Sequence, residues 1–413
     1  MNTPDIRFKG FSDAWKQSKL KDVADKVTEK NSALSVQETF TNSAEFGVIS
    51  QRDFFDRDIS NADNIGGYYV IHEEDFVYNP RISATAPVGP INRNKLGRNG
   101  VMSPLYTIFR THGVDSTYLE WFFKSKNWHP FMYFNGDSGA RSDRFSIKDT
   151  VFFGMPIPLP SQDEQKRIGD ILEHLDVVIT LHQHKLDTLK NYKKAMLVKM
   201  FPREGQKVPE IRFKGFTGDW EPRKLSDIYQ SIGNAFVGTA TPYYVKSGHF
   251  YLESNNVKNG QINHNTEVFI NDQFYKRQKE KWLHTGDMVM VQSGHVGHSA
   301  VIPEELNNTA AHALIMFKNP KMRIEPYFLN YQYQTAKSRK KIDSITTGNT
   351  VEHILASSMQ DFVVDVTSLE EQTKIAVFFQ NLDNVITLNQ HMLDKLKDLK
   401  QAMLNKMFVK GGN

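Results

Sequence analysis

Apolar and polar positions alternate most regularly in two long stretches, residues 161–203 and 368–413. In both stretches the apolar residues return at alternating spacings of four and three. This is the heptad pattern of helices that pair along a narrow apolar face. The pattern predicts two long paired helices, with core positions at Leu175, Ile179, His182, Leu186, Leu189, Lys193, Met196, Leu382, Ile386, Asn389, Leu393, Leu396, Lys400 and Met403.

The polar residues within this heptad pattern favour one orientation of the pair. A parallel pair in register would place Lys193 against Lys400, two like charges in one layer. An antiparallel pair would place Lys193 opposite Asn389 and Lys400 opposite His182, which removes the repulsion. We therefore predict an antiparallel intramolecular coiled coil; the alternative is two zippers formed between separate chains.

The predicted helix ends carry their own signals. Ser161 lies three residues before Glu164, and Ser368 lies three residues before Glu371, which is the spacing of a capping box. Gly205 follows the first helix and is typical of a residue that ends one.

The two stretches belong to a repeat that covers the whole chain. The segment Ile6–Phe11 followed by Trp15 returns as Ile211–Phe216 followed by Trp220. The stretches 161–201 and 368–408 are identical at about 23 of 41 positions. A period of roughly 205 residues is far longer than a solenoid repeat. It predicts two homologous domains related by a pseudo-two-fold axis.

The regions between these signals, about 17–160 and 222–367, hold short β-rich stretches separated by Gly, Asn and Pro turns. The predicted fold class is α+β: two homologous globular domains joined by two long helices that form an antiparallel coiled coil. The predicted boundaries are 1–160 for the first domain, 161–203 for the first long helix, 204–367 for the second domain and 368–413 for the second helix. Apolar positions repeat between the domains whereas loop residues differ, which favours two domains that bind different things.

Composition adds mainly exclusions. The 413 residues contain no cysteine, which excludes disulfides and thiolate metal sites. No apolar run reaches about 18 residues, and no signal peptide is recognisable at the N-terminus, so we expect a cytoplasmic protein with no membrane contact. The net charge of +4 is only a weak argument for a nucleic-acid partner.

Motifs of catalysis are missing from the sequence. It contains no phosphate-binding loop of the P-loop type and no glycine-rich dinucleotide motif. Asn79-Pro80-Arg81 only partly matches the Asn/Asp-Pro-Pro-aromatic loop of amino-methyltransferases. His295 and His298 have no third ligand at a persuasive spacing, and a glycine-rich loop is a poor frame for zinc. We therefore expect no enzyme activity, no metal and no cofactor in this chain.

The loops of both domains do carry side chains suited to DNA. Arg can bridge the acceptors of guanine, Asn or Gln can pair with adenine, and Lys or Ser can hold phosphates. Each such residue alone is more often a solvated surface group, but the set lies on two matching scaffolds. The candidates are Ser50, Gln51, Arg52, Arg81, Ser83, Arg93, Lys95, Arg98, Arg141, Ser142, Arg144, Ser254, Asn255, Asn256, Lys276, Arg277, Gln292, Ser293, His295, His298, Asn349, Thr350 and His353.

The runs 159–168 and 370–375 each have a Glu-Gln pair before a long helix, and Lys-Met-Phe triplets stand at 199–201 and 406–408. In these motifs and in its two-domain arrangement, the whole chain resembles the specificity subunit of type I restriction-modification systems. The second copy departs from the first where Val366-Thr367 replaces Leu159-Pro160.

The resemblance implies a non-catalytic, sequence-specific DNA-binding subunit. Each domain would read one half of a bipartite double-stranded target, while the helix pair sets the spacer and docks two methylation subunits. Two restriction/translocase subunits would join that core, and S-adenosylmethionine, Mg2+ and ATP would bind to the partner subunits.

Two alternatives stay open at this point. A stand-alone DNA-binding regulator would bind its sequence tightly without partner subunits. A coiled-coil scaffold that binds only proteins would have no DNA affinity beyond a weak attraction abolished by salt.

Overall fold

The computed structural model describes residues 3–55, 65–138, 143–348 and 352–409, and the chain divides into two compact units. The first unit is Met1–Gln183 together with His391–Asn413, and the second is His184–Gln390. Each long helix is therefore divided between the units. The predicted domain boundaries, which follow chain order, remain a prediction.

The first unit contains a four-stranded antiparallel sheet and three two-stranded pairs. Its strands are β1 (Lys16–Lys19), β2 (Ala24–Lys26), β3 (Phe40–Ser43), β4 (Gly47–Ser50), β5 (Tyr69–Ile71), β6 (Phe76–Tyr78), β7 (Ile91–Arg93), β8 (Gly100–Met102), β9 (Thr107–Thr111) and β10 (Pro156–Leu159). Its helices are α1 (Gln51–Phe54), α2 (Ser116–Lys124), α3 (His129–Asn135), α4 (Asp149–Phe152) and the first part of α5 (Gln162–Lys199). The sheet order is β2-β9-β6-β7, and the remaining pairs are β1-β10, β3-β4 and β5-β8.

The second unit repeats this plan with additional strands. Its strands are β11 (Glu221–Lys224), β12 (Tyr229–Asn234), β13 (Tyr244–Val245), β14 (His249–Leu252), β15 (Val257–Lys258), β16 (Gln261–Ile262), β17 (Phe269–Ile270), β18 (Met288–Val291), β19 (Ser299–Val301), β20 (Ala310–Ala311), β21 (Leu314–Pro320) and β22 (Val363–Val366). Its helices are α6 (Leu225–Ile228), α7 (Asp272–Arg277), α8 (Pro326–Tyr333), α9 (Ala336–Ile345), α10 (Ala356–Gln360) and the first part of α11 (Leu369–Lys406). The main sheet has the order β12-β21-β18-β19, and a second sheet has the order β13-β17-β14-β20.

Corresponding residues form the centre of both main sheets. Phe76 of β6 lies opposite Phe109 of β9, and Met288 of β18 lies opposite Phe317 of β21. All four side chains are buried, because each strand has one face against helices and the other against a smaller sheet. The predicted α+β class and the predicted repeat are confirmed.

The heptad positions are the buried or half-buried positions of α5 and α11, while most other helix residues are exposed. In the first unit, Lys397 and Lys400 contact Gln183 and Asp176 respectively. Residue numbers along α5 decrease as those along α11 increase, so these helix segments run antiparallel.

The second unit shows the same direction. There Lys190 contacts Gln390 at 3.4 Å and Lys193 contacts Asp383 at 2.6 Å. The predicted antiparallel pairing is confirmed in both units.

The predicted partners of the two polar heptad positions are wrong. Lys193 pairs with Asp383 and not Asn389, and Lys400 pairs with Asp176 and not His182. A lysine side chain can reach a carboxylate one or two turns away, and an ion pair is a stronger contact than one with a neutral group. Asn389 instead donates to the carbonyl oxygen of Val385 in its own helix, at 2.7 Å.

The helix ends also differ in part from the prediction. Ser161 Oγ and Ser368 Oγ accept from the backbone amides three residues on, both at 3.4 Å, as caps do. The Glu164 carboxylate does not complete a capping box, because it binds Arg7. The helix ends at Lys199, six positions before Gly205, since Phe201 enters the core of the second unit and Pro202 cannot continue a helix.

The repeated aromatic-basic segment connects the two long helices within each unit. In the first unit, Arg7 binds Glu164 at the start of α5 through two hydrogen bonds of 2.7 and 2.8 Å. The neighbouring Ile6 amide donates to the carbonyl oxygen of Lys406 near the end of α11, at 3.0 Å. In the second unit, Arg212 binds Glu371 and the Ile211 amide donates to the Lys199 carbonyl oxygen in the same way.

We predict that Asp383→Asn destabilises the second unit by about 2–3 kcal/mol, because it leaves Lys193 half-buried without its counter-charge. Urea unfolding followed by circular dichroism measures the change. Asn389→Ala is the matched control and should change the free energy of unfolding by less than about 0.5 kcal/mol. A larger loss in Asn389→Ala than in Asp383→Asn would contradict the observed pairing.

Candidate nucleic-acid interface

In each unit two loops lie side by side next to the main sheet, and we call them the paired loops. In the first unit they are 79–86, which follows β6, and the described residues 136–138 and 143–148, which follow α3. Their backbones join where the Ile82 amide donates to Asp143 O at 2.9 Å and the Phe145 amide donates to Pro80 O at 2.7 Å.

The second unit has the same arrangement. Its paired loops are 292–298, which follows β18, and the described residues 346–348 and 352–355, which follow α9. The Ile354 amide donates to Gln292 O at 2.9 Å, and the Gly294 amide donates to Glu352 O at 3.1 Å. The repeat therefore preserves a backbone frame whose side chains differ between the units.

The paired loops of the first unit bring two candidate arginines together. Arg81 and Arg144 are partners in an isolated β-bridge, and both side chains are exposed. Asn79 Oδ1 accepts from the Arg81 amide at 3.0 Å, and Ser83 Oγ accepts from the Ala86 amide at 3.1 Å. Asn79 and Ser83 thus shape the loop that presents Arg81.

A pocket with a volume of about 510 Å3 lies beside Arg81. Its wall combines polar groups with aromatic rings, and it includes Thr41, Ser43, Phe54, Asn79, Ser83 and Tyr106. Phe54 is exposed, and its ring centroid lies 6.2 Å from that of the exposed Phe46. Exposed aromatic rings next to an arginine are a combination typical of nucleic-acid contact.

The paired loops of the second unit collect histidines in place of arginines. His353 stands at the bridge position with Ser293, and its Nε2 lies 3.2 Å from Nε2 of the buried Gln292. The hydrogen bond between the buried Gln292 and His353 therefore orients the His353 ring. His295 and His298 occupy the same loop, with ring centroids 6.4 Å apart.

This glycine-rich loop is firmly held, contrary to the expectation from its composition. The Val291 amide donates to His298 O at 2.7 Å, and the Gly297 amide donates to Val291 O at 3.1 Å. Val296 packs against the core of the unit. Gly294 and Gly297, with φ of +83° and +78°, allow the tight path that these contacts require.

Asn259, Arg339 and Lys258, which the sequence analysis did not select, complete this site. The Asn259 amide lies 3.3 Å from His298 Nδ1, and Arg339 Nη2 lies 3.3 Å from the same atom. Burial, together with repulsion from the nearby Arg339, His295 and Lys258, lowers the pKa of His298 to about 4. Asn259-Gly260 is a hairpin dipeptide that the sequence could have revealed, but its partner loop could not be read from the chain.

Several candidates of the first unit already have partners within its structure. Arg93 is buried and binds Glu74 and Glu120, and Ser50 is buried at the start of α1. Arg98 makes two hydrogen bonds to Glu38, of 2.7 and 2.8 Å. The carboxylates that bind Arg93 and Arg98 lie 19 to 60 residues away along the chain, so no local pattern reveals these pairs.

Three more candidates of the first unit lie around these residues. Lys95 contacts Glu173 at 3.0 Å. Gln51 and Arg52 lie on α1, directly after the buried Ser50 and away from the paired loops in sequence.

In the second unit, Asn256 is also structural, because its buried amide donates to Asn263 O and Thr266 O. Ser254 and Asn255 share its short 3₁₀ turn. The remaining candidates that the structure describes, Lys276 and Arg277, lie on α7, where they contact Asp272 and the ring of Tyr243. Arg141, Ser142, Asn349 and Thr350 lie outside the described residues.

Among the described residues, no group of three or more His, Asp or Glu side chains is placed to hold a metal ion. No helix in that part of the chain is long and apolar enough to cross a membrane.

Two repeats of one scaffold, each presenting a different set of polar loop side chains, define a double-module recognition protein. The profile of the type I restriction modification DNA specificity domain matches the chain twice, at residues 12–191 and 217–398. The chain belongs to this family of specificity subunits, which recognise DNA and are not catalytic. The predicted family and the predicted absence of an enzymatic role are confirmed by this match.

Individual relatives are distant. Specificity subunits of the type I restriction enzymes MjaVIII and MjaIX of Methanocaldococcus jannaschii are each 22% identical, over 269 and 339 residues. These matches cover 63% and 79% of this chain and 62% and 76% of the relatives, so the first falls short of two thirds of its relative.

Solved structures agree in fold. The S subunit of a type I restriction-modification system from M. genitalium is 11% identical, with a TM-score of 0.61 over 99% of this chain and all of that one. A chain from a study of assembly of the type I system is 14% identical, with a TM-score of 0.54 over 97% of this chain and 99% of that one.

We predict that Gly297→Ala displaces the loop 292–298. The φ of Gly297 is positive, and the new Cβ would lie 2.7 Å from Ile342 Cγ2. Gly294→Ala is the matched control: its φ is also positive, but nothing lies within 4 Å of the new Cβ. Hydrogen exchange of residues 292–298 and thermal unfolding measure both effects. We expect faster exchange and a clear loss of stability in Gly297→Ala, and about 1 kcal/mol or less in Gly294→Ala. Equal effects of the two variants would mean that the contact with Ile342 does not hold the loop.

Proposed function

We propose that each unit contacts one half of a bipartite double-stranded DNA target through its paired loops. One observation carries this proposal: the backbone bridge between the paired loops joins Arg81 to Arg144 in the first unit but Ser293 to His353 in the second, where His298 lies in the same loop as Ser293. A scaffold that is repeated while its exposed groups change is suited to reading two different sequences with one geometry.

The side chains differ in what they can recognise. Arg81 and Arg144 are positively charged donors that fit guanine O6 and N7 or backbone phosphates. The histidines offer single ring donors and acceptors, so they suit individual base-edge groups more than phosphates. The two halves of the target should therefore differ in sequence.

We propose further that the helix pair sets the spacer between the half-sites and docks two methylation subunits. Leu181 of α5 and Leu388 of α11 occupy equivalent repeat positions, and 62% and 68% of their surfaces are exposed. Val178 and Val385 precede them by three positions and are exposed as well. Exposed apolar groups at matching positions favour a protein partner that binds twice.

The partner subunits would supply the chemistry. The methylation subunits would carry S-adenosylmethionine and take the target adenine out of the stack. Two restriction/translocase subunits would add ATP- and Mg2+-dependent activities, and such a complex would work on DNA in the cytoplasm.

Co-expression with the methylation subunit in a host without adenine methylation tests the proposed function. Mapping of N6-methyladenine across the genome should give one bipartite motif. Arg81→Ala with Arg144→Ala should relax one half of that motif only, since both residues lie in the first unit. Methylation without a bipartite motif, or none despite a soluble complex, would favour a regulator or a scaffold.

Substitution of the exposed leucines tests the docking surface. Leu181→Lys and Leu388→Lys should each weaken binding of a methylation subunit at least tenfold, because each places a charge in the apolar contact. Asn191→Lys adds the same charge at another exposed position of α5 and serves as the control. Calorimetric titration measures the affinities and the stoichiometry. Equal weakening by Asn191→Lys would indicate a general charge effect.

A further inference from the structure

The two ring nitrogens of His298 have different surroundings. Nδ1 lies 3.3 Å from the backbone amide of Asn259 and 3.3 Å from Nη2 of Arg339. Nε2 makes no hydrogen bond to the residues that the structure describes. The ring therefore has one nitrogen directed at Asn259 and Arg339 and one nitrogen that binds none of the described residues.

These contacts fix the tautomer of the ring. A backbone amide and a guanidinium group can donate hydrogen bonds but cannot accept them. Nδ1 must then be the acceptor of both contacts, and it carries no proton. In the neutral imidazole the proton is consequently on Nε2, which makes Nε2–H a donor.

The donors that fix His298 are themselves held in place. Asn259 is the first residue of a two-residue turn between β15 and β16, with φ of +51°, and Gly260 follows with φ of +85°. Asn330 Nδ2 donates to Gly260 O at 2.7 Å. A Cβ on Gly260 would lie 2.3 Å from Gln334 Nε2 and 3.2 Å from Asn330 Nδ2, so this hairpin approaches α8 and the residue that follows it closely.

Arg339 approaches from α9 and is half-buried. It makes no ion pair with the described residues, although its guanidinium is one of the strongest ion-pairing groups in proteins. Its hydrogen bond to a neutral ring is an uncommon use of a half-buried cation. This arrangement is understandable if the function of Arg339 is to orient the imidazole.

We propose that His298 is a specificity-determining residue whose Nε2–H donates to an acceptor on a base edge, and that Arg339 is its positioning residue. The inference rests on the proposed function, because it assigns the base contact to the half of the target that the second unit binds. The first unit has arginines in the paired loops instead, so the two halves are read by different chemistry.

A single fixed donor has a defined preference. In the major groove, guanine O6 and N7, adenine N7 and thymine O4 are acceptors, whereas cytosine offers only its N4 amino donor. Opposed donors repel, so the contacted base should be any of the three with acceptors and should not be cytosine. A phosphate contact would show no such preference.

The charged and titratable groups that face the ring are Arg339 from α9, His295 from the same loop and Lys258 from the β15–β16 hairpin. All three carry or can carry positive charge, and together with burial they lower the pKa of His298 to about 4. Protonation would also place an N–H on Nδ1 against two donors. Base discrimination at this position should therefore be constant between about pH 5.5 and 8.

Two substitutions separate the two nitrogens. The amide of His298→Gln can place a donor near the position of Nε2, whereas the amide of His298→Asn replaces Nδ1 and leaves no group at Nε2. In the methylating complex, His298→Asn should reduce discrimination against cytosine at one position of the second half about tenfold, with the first half unchanged. His298→Gln should retain more of the discrimination, and thermal melting checks that both variants fold.

Arg339→Met tests the positioning role through its pH profile. Without the guanidinium one of the charges that oppose protonation is lost while the burial remains, so the loss of discrimination at the same position should begin at a higher pH than in the unmodified protein. A purely structural role of Arg339 would lower stability without this shift in the pH profile. Lys258→Met removes a more distant charge and should leave the profile flat.

Three outcomes would overturn the inference while the bipartite motif itself remains. The first is an equal loss of affinity for all sequences in His298→Asn, which identifies a phosphate contact. The second is a DNA affinity that rises towards pH 5.5 in the unmodified complex but not in His298→Asn, which identifies a charged histidine. The third is unchanged discrimination in His298→Asn. Loss of the bipartite motif in the unmodified complex would instead contradict the proposed function.

Discussion

Each unit depends on one fully buried carboxylate at the start of a long helix. Glu164 and Glu371 have no exposed side-chain surface, and each is neutralised by the two hydrogen bonds of a single arginine. Burial of an unpaired carboxylate is costly, so the arginine must be present wherever the helix start is packed. Because that arginine belongs to the segment that also contacts the end of the other long helix, a single ion pair joins three parts of the chain in each unit.

The residue after each glutamate extends this connection. Gln165 Oε1 accepts from the Asp115 amide at 2.9 Å, and Gln372 Oε1 accepts from the Glu325 amide at 3.0 Å, each at the N-cap residue of a short helix. The repeated Glu-Gln pair is thus explained by packing: one side chain satisfies an arginine and the other fixes the next helix. These contacts lie outside the paired loops, so the loop side chains can differ between the units without loss of the scaffold.

The repeat, the heptad positions and the antiparallel direction could be predicted because each depends on residues close together in sequence or on the avoidance of like charges. The exact ion pairs could not. Lys193 and Lys400 select Asp383 and Asp176 by the reach of a flexible side chain, which the spacing of heptad positions does not encode. For the same reason Arg93 and Arg98 were predicted to contact DNA, although Glu120 and Glu38 already bind them.

The sequence by itself determined the family, the two-module plan and the kinds of side chain that the loops present, since these follow from repetition and local pattern. Only the tertiary structure decided which of those side chains act together. Arg81 meets Arg144, and His298 meets Asn259 and Arg339, across separations of about 40 to 60 residues. Contacts over such distances depend on how the strands pair and how the helices pack, and no local pattern in the chain specifies them.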